Sequence, residues 1–429
     1  MSVGNHSAWH VWLVTDVYPP RCGGSGWSTH ALARVLCDRG HRVRVFVIMS
    51  SHDDVVSRRY EDVEVTEIGV RRARRSPRAR VGARDFAHRH VEAFLNERLL
   101  QEPQHVDVVH AQHLHSGPPA VAAGRRHGCA TVVTVRDYWP VCLHGTSWWA
   151  GAGCAGCTPR NLRGCMEEYW GWPGPLTRAM VPWATRRLRA RGDGLVMADT
   201  VVTVSQAVRR RIEGELPPAD LVVVPNIVDP QELETCAAPD HASEKERFLL
   251  AAGKLQPTKG FDSLLAALSD AGRVPPLKVA GDGPSLAALR TQADAAGLDV
   301  EFLGWVDHGR LLALQRDAAA VLLPSAWEEP LSRVVLETMG LGTPVIAWAR
   351  GGNPEIVESG KNSWLVSRPA EMSVALRELD QPGRRDEVGH AARRHVEDHY
   401  SPKAVYPRMA SVYQEAIRKS RDRQHPRQP

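Results

Sequence analysis

The chain has 429 residues, of which 43% are hydrophobic and 24% charged, and its formal net charge is +5. That length holds two domains with large cores, and the composition excludes wholesale disorder, a collagen-like or coiled-coil rod and a small disulfide scaffold. No apolar run approaches the ~18 residues that span a bilayer, and the first residues lack the basic start and apolar stretch of a secretory leader, so a cytoplasmic protein is expected.

Charge is unevenly spread. Residues 1–200 hold 26 arginines and no lysine against 18 acidic residues, which makes the first half basic and the rest slightly acidic. The densest patch is Arg71, Arg72, Arg74, Arg75, Arg78 and Arg80. Such a patch can meet phosphates or an anionic membrane face, or stand in solvent as an ordinary loop. No helix-turn-helix, zinc-finger spacing or RNA-binding aromatic motif accompanies it, so no nucleic-acid partner is expected.

In chain order, residues 10–15 form a short apolar run of strand length. The turn Tyr18-Pro19-Pro20-Arg21-Cys22-Gly23-Gly24-Ser25-Gly26 follows, and Ala31, Leu32, Val35 and Leu36 then recur at helical spacing. Residues 43–47 read as the next strand, with further strands predicted over 106–110, 131–135 and 200–204 and a helix over 119–126. The second half repeats this alternation, with strands over 247–252, 277–280, 300–303, 320–323 and 344–347 and helices over 262–271, 285–296 and 332–339. Strands alternating with helices imply two parallel, doubly wound sheets in tandem. The domains are expected over 1–228 and 229–400, followed by a C-terminal helix from 401 that packs back on the first domain and a frayed end.

Residues 139–193 break the alternation and read as an insertion in the first domain. They carry Trp148, Trp149, Trp170, Trp172 and four clustered thiols, Cys142, Cys154, Cys157 and Cys165. Cys-x2-Cys with two further thiols within 24 residues is suitable spacing for a structural zinc, and an iron–sulfur cluster would use the same ligands. The surrounding glycines suggest too little apolar mass to fold without such a metal, although a loop of thiols that bind nothing is the alternative reading.

Two motifs carry chemistry. In Glu329-Pro330-Leu331-Ser332-Arg333-Val334-Val335-Leu336-Glu337, Pro330 suits the first turn of a helix, which would set Glu329 at its start and Glu337 about 12 Å along it. The N–H groups of Leu331, Ser332 and Arg333 would then favour an anion between two carboxylates, an arrangement sized for sugar hydroxyls, a diphosphate and ribose hydroxyls. In Gly253-Lys254-Leu255-Gln256-Pro257-Thr258-Lys259-Gly260, two lysines flank a tight turn after a strand and can neutralise a diphosphate leaving group. Taken alone, the first motif also fits a helix with an acidic first turn and a surface glutamate, and the second a solvated βα loop.

In order and spacing, these motifs resemble the retaining glycosyltransferases of family 4, together with Asp107-Val108-Val109-His110, Val224-Pro225-Asn226, Gly281-Asp282-Gly283-Pro284, Phe302-Leu303-Gly304-Trp305 and Gly351-Gly352-Asn353-Pro354-Glu355. The resemblance implies a GT-B fold, two Rossmann-like α/β domains facing each other across a cleft. It implies a nucleotide diphosphosugar donor on the second domain, with Glu337 on the ribose, Glu329 on the transferred sugar, and Lys254 and Lys259 on the diphosphate. Asn226, Gly281, Gly283, Leu331 and Ser332 would complete the donor site, and Gly23 and Gly24 would let backbone approach phosphates or acceptor. No cofactor is implied for catalysis. The acceptor could be a small molecule, a lipid or a glycan, and UDP is the favoured nucleotide.

Two departures stand out. Where the family often shows His-x-His, the chain reads His110-Ala111-Gln112-His113, so Gln112 replaces the second histidine and His113 is expected to act beside it, while His110 is expected in the core. Arg136-Asp137-Tyr138 likewise departs from a His-Asp-Tyr pattern. The departures keep two other functions open, a catalytically silent nucleotide-sugar-binding protein and an epimerase on the same fold.

Overall fold

The computed structural model describes residues 8–49, 51–70, 79–149, 151–215, 220–237, 248–272 and 274–425, with side chains described for all of these except 79–87. Arg71, Arg72, Arg74, Arg75 and Arg78 of the basic patch lie outside the described residues, as does the side chain of Arg80. The chain divides into two compact units: Met1–Gly145, Cys157–Pro225 and Tyr406–Pro429 form the first, and Thr146–Gly156 with Asn226–Val405 the second.

The first unit contains β1 (His10–Thr15), α1 (Gly24–Asp38), β2 (Arg42–Met49), β3 (Val55–Tyr60), β4 (Val63–Gly69), α2 (Ala79–Gln101), β5 (Val108–Ala111), α3 (Gly117–Arg126) and β6 (Ala130–Val135). After the short hairpin β7 (Trp148–Trp149) and β8 (Ala152–Gly153), which belongs to the second unit, the chain continues through α4 (Pro159–Trp170), α5 (Gly174–Val196), β9 (Thr200–Thr203), α6 (Gln206–Glu213) and β10 (Leu221–Val223). The sheet order is β10-β9-β6-β5-β1-β2-β4-β3, parallel throughout except for the β3–β4 hairpin. Every residue of β1, β5, β6 and β9 is buried, as expected for strands covered by helices on both faces. Two aspartates fix strand starts: Asp107 Oδ2 accepts from His10 N at 2.8 Å, and Asp199 Oδ2 from Thr131 N at 2.8 Å.

The second unit contains α7 (Pro230–Cys236), β11 (Leu249–Ala252), α8 (Phe261–Ala271), β12 (Leu277–Ala280), α9 (Leu286–Ala295), β13 (Val300–Gly304), α10 (His308–Asp317), β14 (Ala320–Leu323) and α11 (Arg333–Gly340). It ends with β15 (Val345–Trp348), α12 (Asn353–Ile356), β16 (Trp364–Val366), α13 (Pro369–Leu379) and α14 (Arg384–His399). All six strands are parallel, in the order β13-β12-β11-β14-β15-β16. Successive residues of β11 feed opposite faces: Leu249 and Ala251 join Phe261, Leu264 and Leu268 of α8, while Leu250 and Ala252 pack with Val321 and, from α10, Leu311 and Leu314.

The last helix, α15 (Pro402–Gln424), lies on the first unit from Tyr406 onward. Tyr406 Oη is hydrogen-bonded to His41 Nε2 at 2.8 Å and Tyr413 Oη to His110 Nδ1 at 2.8 Å. Lys419 Nζ donates to Asp199 O at 3.1 Å, and Arg423 pairs with the Asp199 carboxylate.

Candidate active site

The loops that hold the second unit's motifs all leave the carboxyl ends of parallel strands. The strand order reverses between β11 and β14, and ligands of open α/β sheets bind at such a switch point. The β11 loop (253–260) and the β14 loop (324–332) flank it. Backbone bonds tie these loops together, with Ala326 N and Trp327 N both donating to Thr258 O at 3.0 and 3.1 Å. Gly260 has φ +65°, and a Cβ there would collide with Pro324 O, so only glycine permits this approach.

Lys259 ends a single 3₁₀ turn, Pro257–Lys259, and its Nζ donates to both oxygens of Glu329, at 3.1 and 2.9 Å. The ammonium also lies 4.9 Å from the centre of the Trp327 ring, whose Nε1–H donates to Glu329 Oε2 at 2.5 Å. Lys254 is exposed on the same loop. One lysine is therefore engaged with a carboxylate while the other faces solvent.

Helix α11 begins later than the sequence suggests. Its N-cap is Ser332, whose Oγ accepts from Val335 N at 3.3 Å, so Glu329, Pro330 and Leu331 lie in the loop before it. Leu331 is buried, and the amides at the mouth of the helix are those of Arg333 and its successors, not those of Leu331 and Ser332. Glu337 is 2% exposed and is gripped from two sides: His308 Nε2 donates to its Oε1 at 2.9 Å, and Arg333 Nε donates to the same oxygen at 2.6 Å. Burial raises the proton affinity of this carboxyl, but His308 and Arg333 outweigh it and hold Glu337 below the ordinary carboxylate range. Arg333 also donates to Ile227 O at 3.2 Å, beside the buried Asn226 at the start of this unit. Arg333 and Glu337 stand four apart on a helix, so that pair was legible in the sequence; His308, 29 residues away, was not.

Gly281 and Gly283 serve loop packing. A Cβ at Gly281 would collide with Gly253 O and one at Gly283 with Leu255 O, and Leu255 N donates to Asp282 O at 2.9 Å. Gly351 (φ +60°) and Gly352 do the same against Glu329 O and Pro330 O, and Gly352 N donates to Glu329 O at 2.6 Å. Two loops thus clamp the backbone on which Lys259 and Glu329 stand.

In the first unit, the ends of β1, β5 and β6 bring a second set of polar groups together. Gln112 is fully buried; its Oε1 accepts from Arg136 Nη2 at 2.5 Å, and its Nε2 has no partner among the described residues. His113 Nδ1 is bonded to Thr15 Oγ1 at 3.0 Å, and its Nε2 is buried and likewise unpartnered among the described residues. Burial and the nearby Arg136 push His113 down to about 3, so it is a neutral ring. His110 is a core histidine as expected, 0% exposed and bonded through Nε2 to Thr134 Oγ1 at 2.7 Å. The glycine loop before α1 is braced by Tyr18 Oη on His30 Nδ1 at 2.9 Å and by Arg58 donating to Pro19 O at 2.8 Å. Gly23 is the N-cap position of α1, next to Gly24, and a Cβ there would meet nothing within 4 Å.

Comparison with known proteins joins both halves of this description. The family described as Glycosyltransferase Family 4 matches residues 22–232, and Glycosyl transferases group 1 matches residues 237–416. The chain is a GT-B glycosyltransferase of the family 4 type. Glycogen synthase of Mycobacterium tuberculosis is 29% identical over 98% of this glycosyltransferase and 97% of its own length. A 2-deoxystreptamine glucosyltransferase of Streptomyces kanamyceticus is 32% identical over 48% of the chain and 56% of its own. Among solved structures, sucrose-phosphate synthase of Thermosynechococcus elongatus shares the fold with a TM-score of 0.69 at 19% identity, covering 95% of this chain and 99% of that one. Anabaena HepE in complex with UDP-glucose does so at 0.64 and 16% identity, covering 94% and 99%.

The cysteine expectation gains no support from the glycosyltransferase's geometry. Among the described residues, Cys142, Cys157 and Cys165 of the first unit are not gathered as a common ligand set, and Cys154 falls in the second unit. An apolar core orders this part of the chain. Leu143, Leu162, Met166 and Ala184 are buried there, packed by Trp170, Met180 and Trp183. Cys142 and Cys165 are buried, and Arg191 ties the preceding loop down by donating to Trp139 O, Cys142 O and Leu143 O at 3.3, 3.1 and 3.3 Å. The Arg136–Gln112 bond was missed because nothing in sequence spacing pairs a residue at one strand end with a residue at the next, and Trp327, only two residues from Glu329, was missed because an aromatic in a loop signals no bond to its neighbour's carboxylate.

Proposed function

We propose that this glycosyltransferase transfers a hexose or N-acetylhexosamine from a nucleotide diphosphosugar, with UDP as the favoured nucleotide, to a hydroxyl acceptor with retention of anomeric configuration. The observation that carries the reading is the Lys259–Glu329 contact at the switch point of the second unit: a cation for the diphosphate and a carboxylate for the sugar stand within one hydrogen bond of each other. The relatives crystallised with UDP and UDP-glucose favour a uridine donor.

Transfer in this reading needs no dedicated nucleophile. Lys254 and Lys259 compensate the charge that develops on the departing diphosphate, Glu329 fixes the sugar through its hydroxyls, and a leaving-group oxygen takes the acceptor proton as the new bond forms on the same face. The first unit by itself carries neutral groups, Gln112 Nε2 and His113 Nε2, suited to a hydroxyl-bearing ligand. The test is a thermal-shift screen with UDP-, GDP- and ADP-sugars, followed by NMR of the anomeric proton of the transferred sugar. Stabilisation by a UDP-sugar and an α-linked product from an α-linked donor are expected. An inverted product overturns the retaining assignment, and stabilisation by none of the donors overturns the reading.

A further inference from the structure

Glu329 is held by two partners of different kinds. Lys259 is a flexible chain with a point charge, and a diphosphate bound beside it competes for that charge. Trp327 is an aromatic side chain on a loop tied by hydrogen bonds on both sides. Its own N donates to Thr258 O at 3.1 Å, and the carboxylate of its neighbour Glu328 accepts from Gly351 N at 2.6 Å. When Lys259 turns to a diphosphate, Glu329 loses both lysine bonds, and its terminal torsion, intrinsically broad and two-fold, is left to whatever else grips the carboxylate. The indole N–H, at 2.5 Å from Oε2, is the other grip on the carboxylate.

We propose that Trp327 is a positioning residue for sugar transfer. Its indole N–H orients the Glu329 carboxylate toward the sugar hydroxyls once Lys259 has exchanged Glu329 for the diphosphate, and its ring face, 4.9 Å from the ammonium, keeps the lysine beside the site during that exchange. This rests on the donor reading above and extends it to a residue that touches neither diphosphate nor reacting atoms. It also gives the apo ion pair a role: the pair is broken by the donor, so only ligands carrying both a diphosphate and hydroxyls replace all of its bonds.

The experiment compares wild type, Trp327→Phe, Glu329→Gln and the double variant, reading UDP release from UDP-glucose without acceptor and UDP affinity by calorimetry. Trp327→Phe keeps the ring face and removes the N–H. A hydrogen bond to a charged group predicts a fall in kcat of about tenfold or more, with UDP affinity within about twofold of wild type. If the indole acts through Glu329, the double variant is no slower than Glu329→Gln alone. A Trp327→Phe kcat within about twofold of wild type, or losses that multiply in the double variant, overturn the inference. A Trp327→His variant, which retains a ring N–H, is expected to recover part of the rate and serves if Phe is not tolerated; no recovery there overturns it as well. Wild type that neither binds UDP nor turns over UDP-glucose overturns the donor reading itself, a result distinct from an active wild type with an unaffected Trp327→Phe.

Discussion

Glu329 and Glu337 stand eight residues apart in sequence and end in different surroundings. Glu329 faces a lysine and an indole at the loop, and Glu337 is sealed between His308 and Arg333. The two therefore answer substitution differently. Lys259→Ala leaves Glu329 without its cation and is expected to lower kcat by about one to two orders of magnitude with little change in melting temperature, measured by UDP release and by calorimetry. Glu337→Ala removes a buried carboxylate shared by the half-buried Arg333 and His308, which costs about 3–5 kcal/mol and lowers the melting temperature by on the order of 10 °C, whereas Glu337→Gln keeps an acceptor oxygen and loses less. Equal melting temperatures for wild type and Glu337→Ala would refute the structural role. Any loss of donor binding in Glu337→Ala has to be read beside this loss of fold.

Helix α15 shows the same logic one level up. The sequence marks it as a helix by the spacing of Val405, Met409, Val412, Tyr413 and Ala416, but hydrogen bonds to partners hundreds of residues away decide where it lies. Tyr413 and His110 are both 0% exposed and bonded to each other. Tyr413→Phe leaves a buried ring nitrogen unsatisfied, so a loss of about 1–3 kcal/mol and a lower melting temperature are expected with the active site untouched. A melting temperature equal to wild type would show that the bond contributes nothing. The insertion teaches the converse lesson. Its glycines and cysteines drew the eye to a metal, and its helices α4 and α5 also bury Leu162, Met166 and Ala184 against one another. The apolar spacing was present in the sequence, but the denser cysteine pattern masked it.

Across the whole molecule, buried ionisable groups set opposing pH dependences. His110 and His113 are pushed from 6.5 down to about 3 by burial, so the stability tied to their neutral rings is present above 6.5 and is lost as pH falls toward 3. Asp137 runs the other way. Burial raises it from 3.8 to about 7, so the folded chain holds the proton more tightly, and the associated stability is full below 3.8 and lost as pH rises through 7. Asp137→Asn is thus expected to raise the melting temperature more at pH 8 than at pH 5; equal gains at both would remove Asp137 as the cause. The basic cast of the first 200 residues is a property of the chain, and among the described residues no helix is long and apolar enough to cross a membrane.

The sequence by itself determined the two α/β sheets, most of their strands and the loops that carry Lys259, Glu329 and Glu337. Each of those rests on local periodicity or on residues within one motif. Strand ends strayed by a residue or two, and α11 began after Leu331 because Ser332 took the cap. Only the tertiary structure decided what each polar group meets: that Glu329 is shared between a lysine and an indole, that His308 seals Glu337, that Gly281 and Gly283 serve backbone packing, and that Gln112 is held by Arg136. The reason is geometric. A parallel sheet brings together the ends of strands that are far apart in the chain, and the hydrogen bonds formed there depend on register and strand order, which no local spacing records.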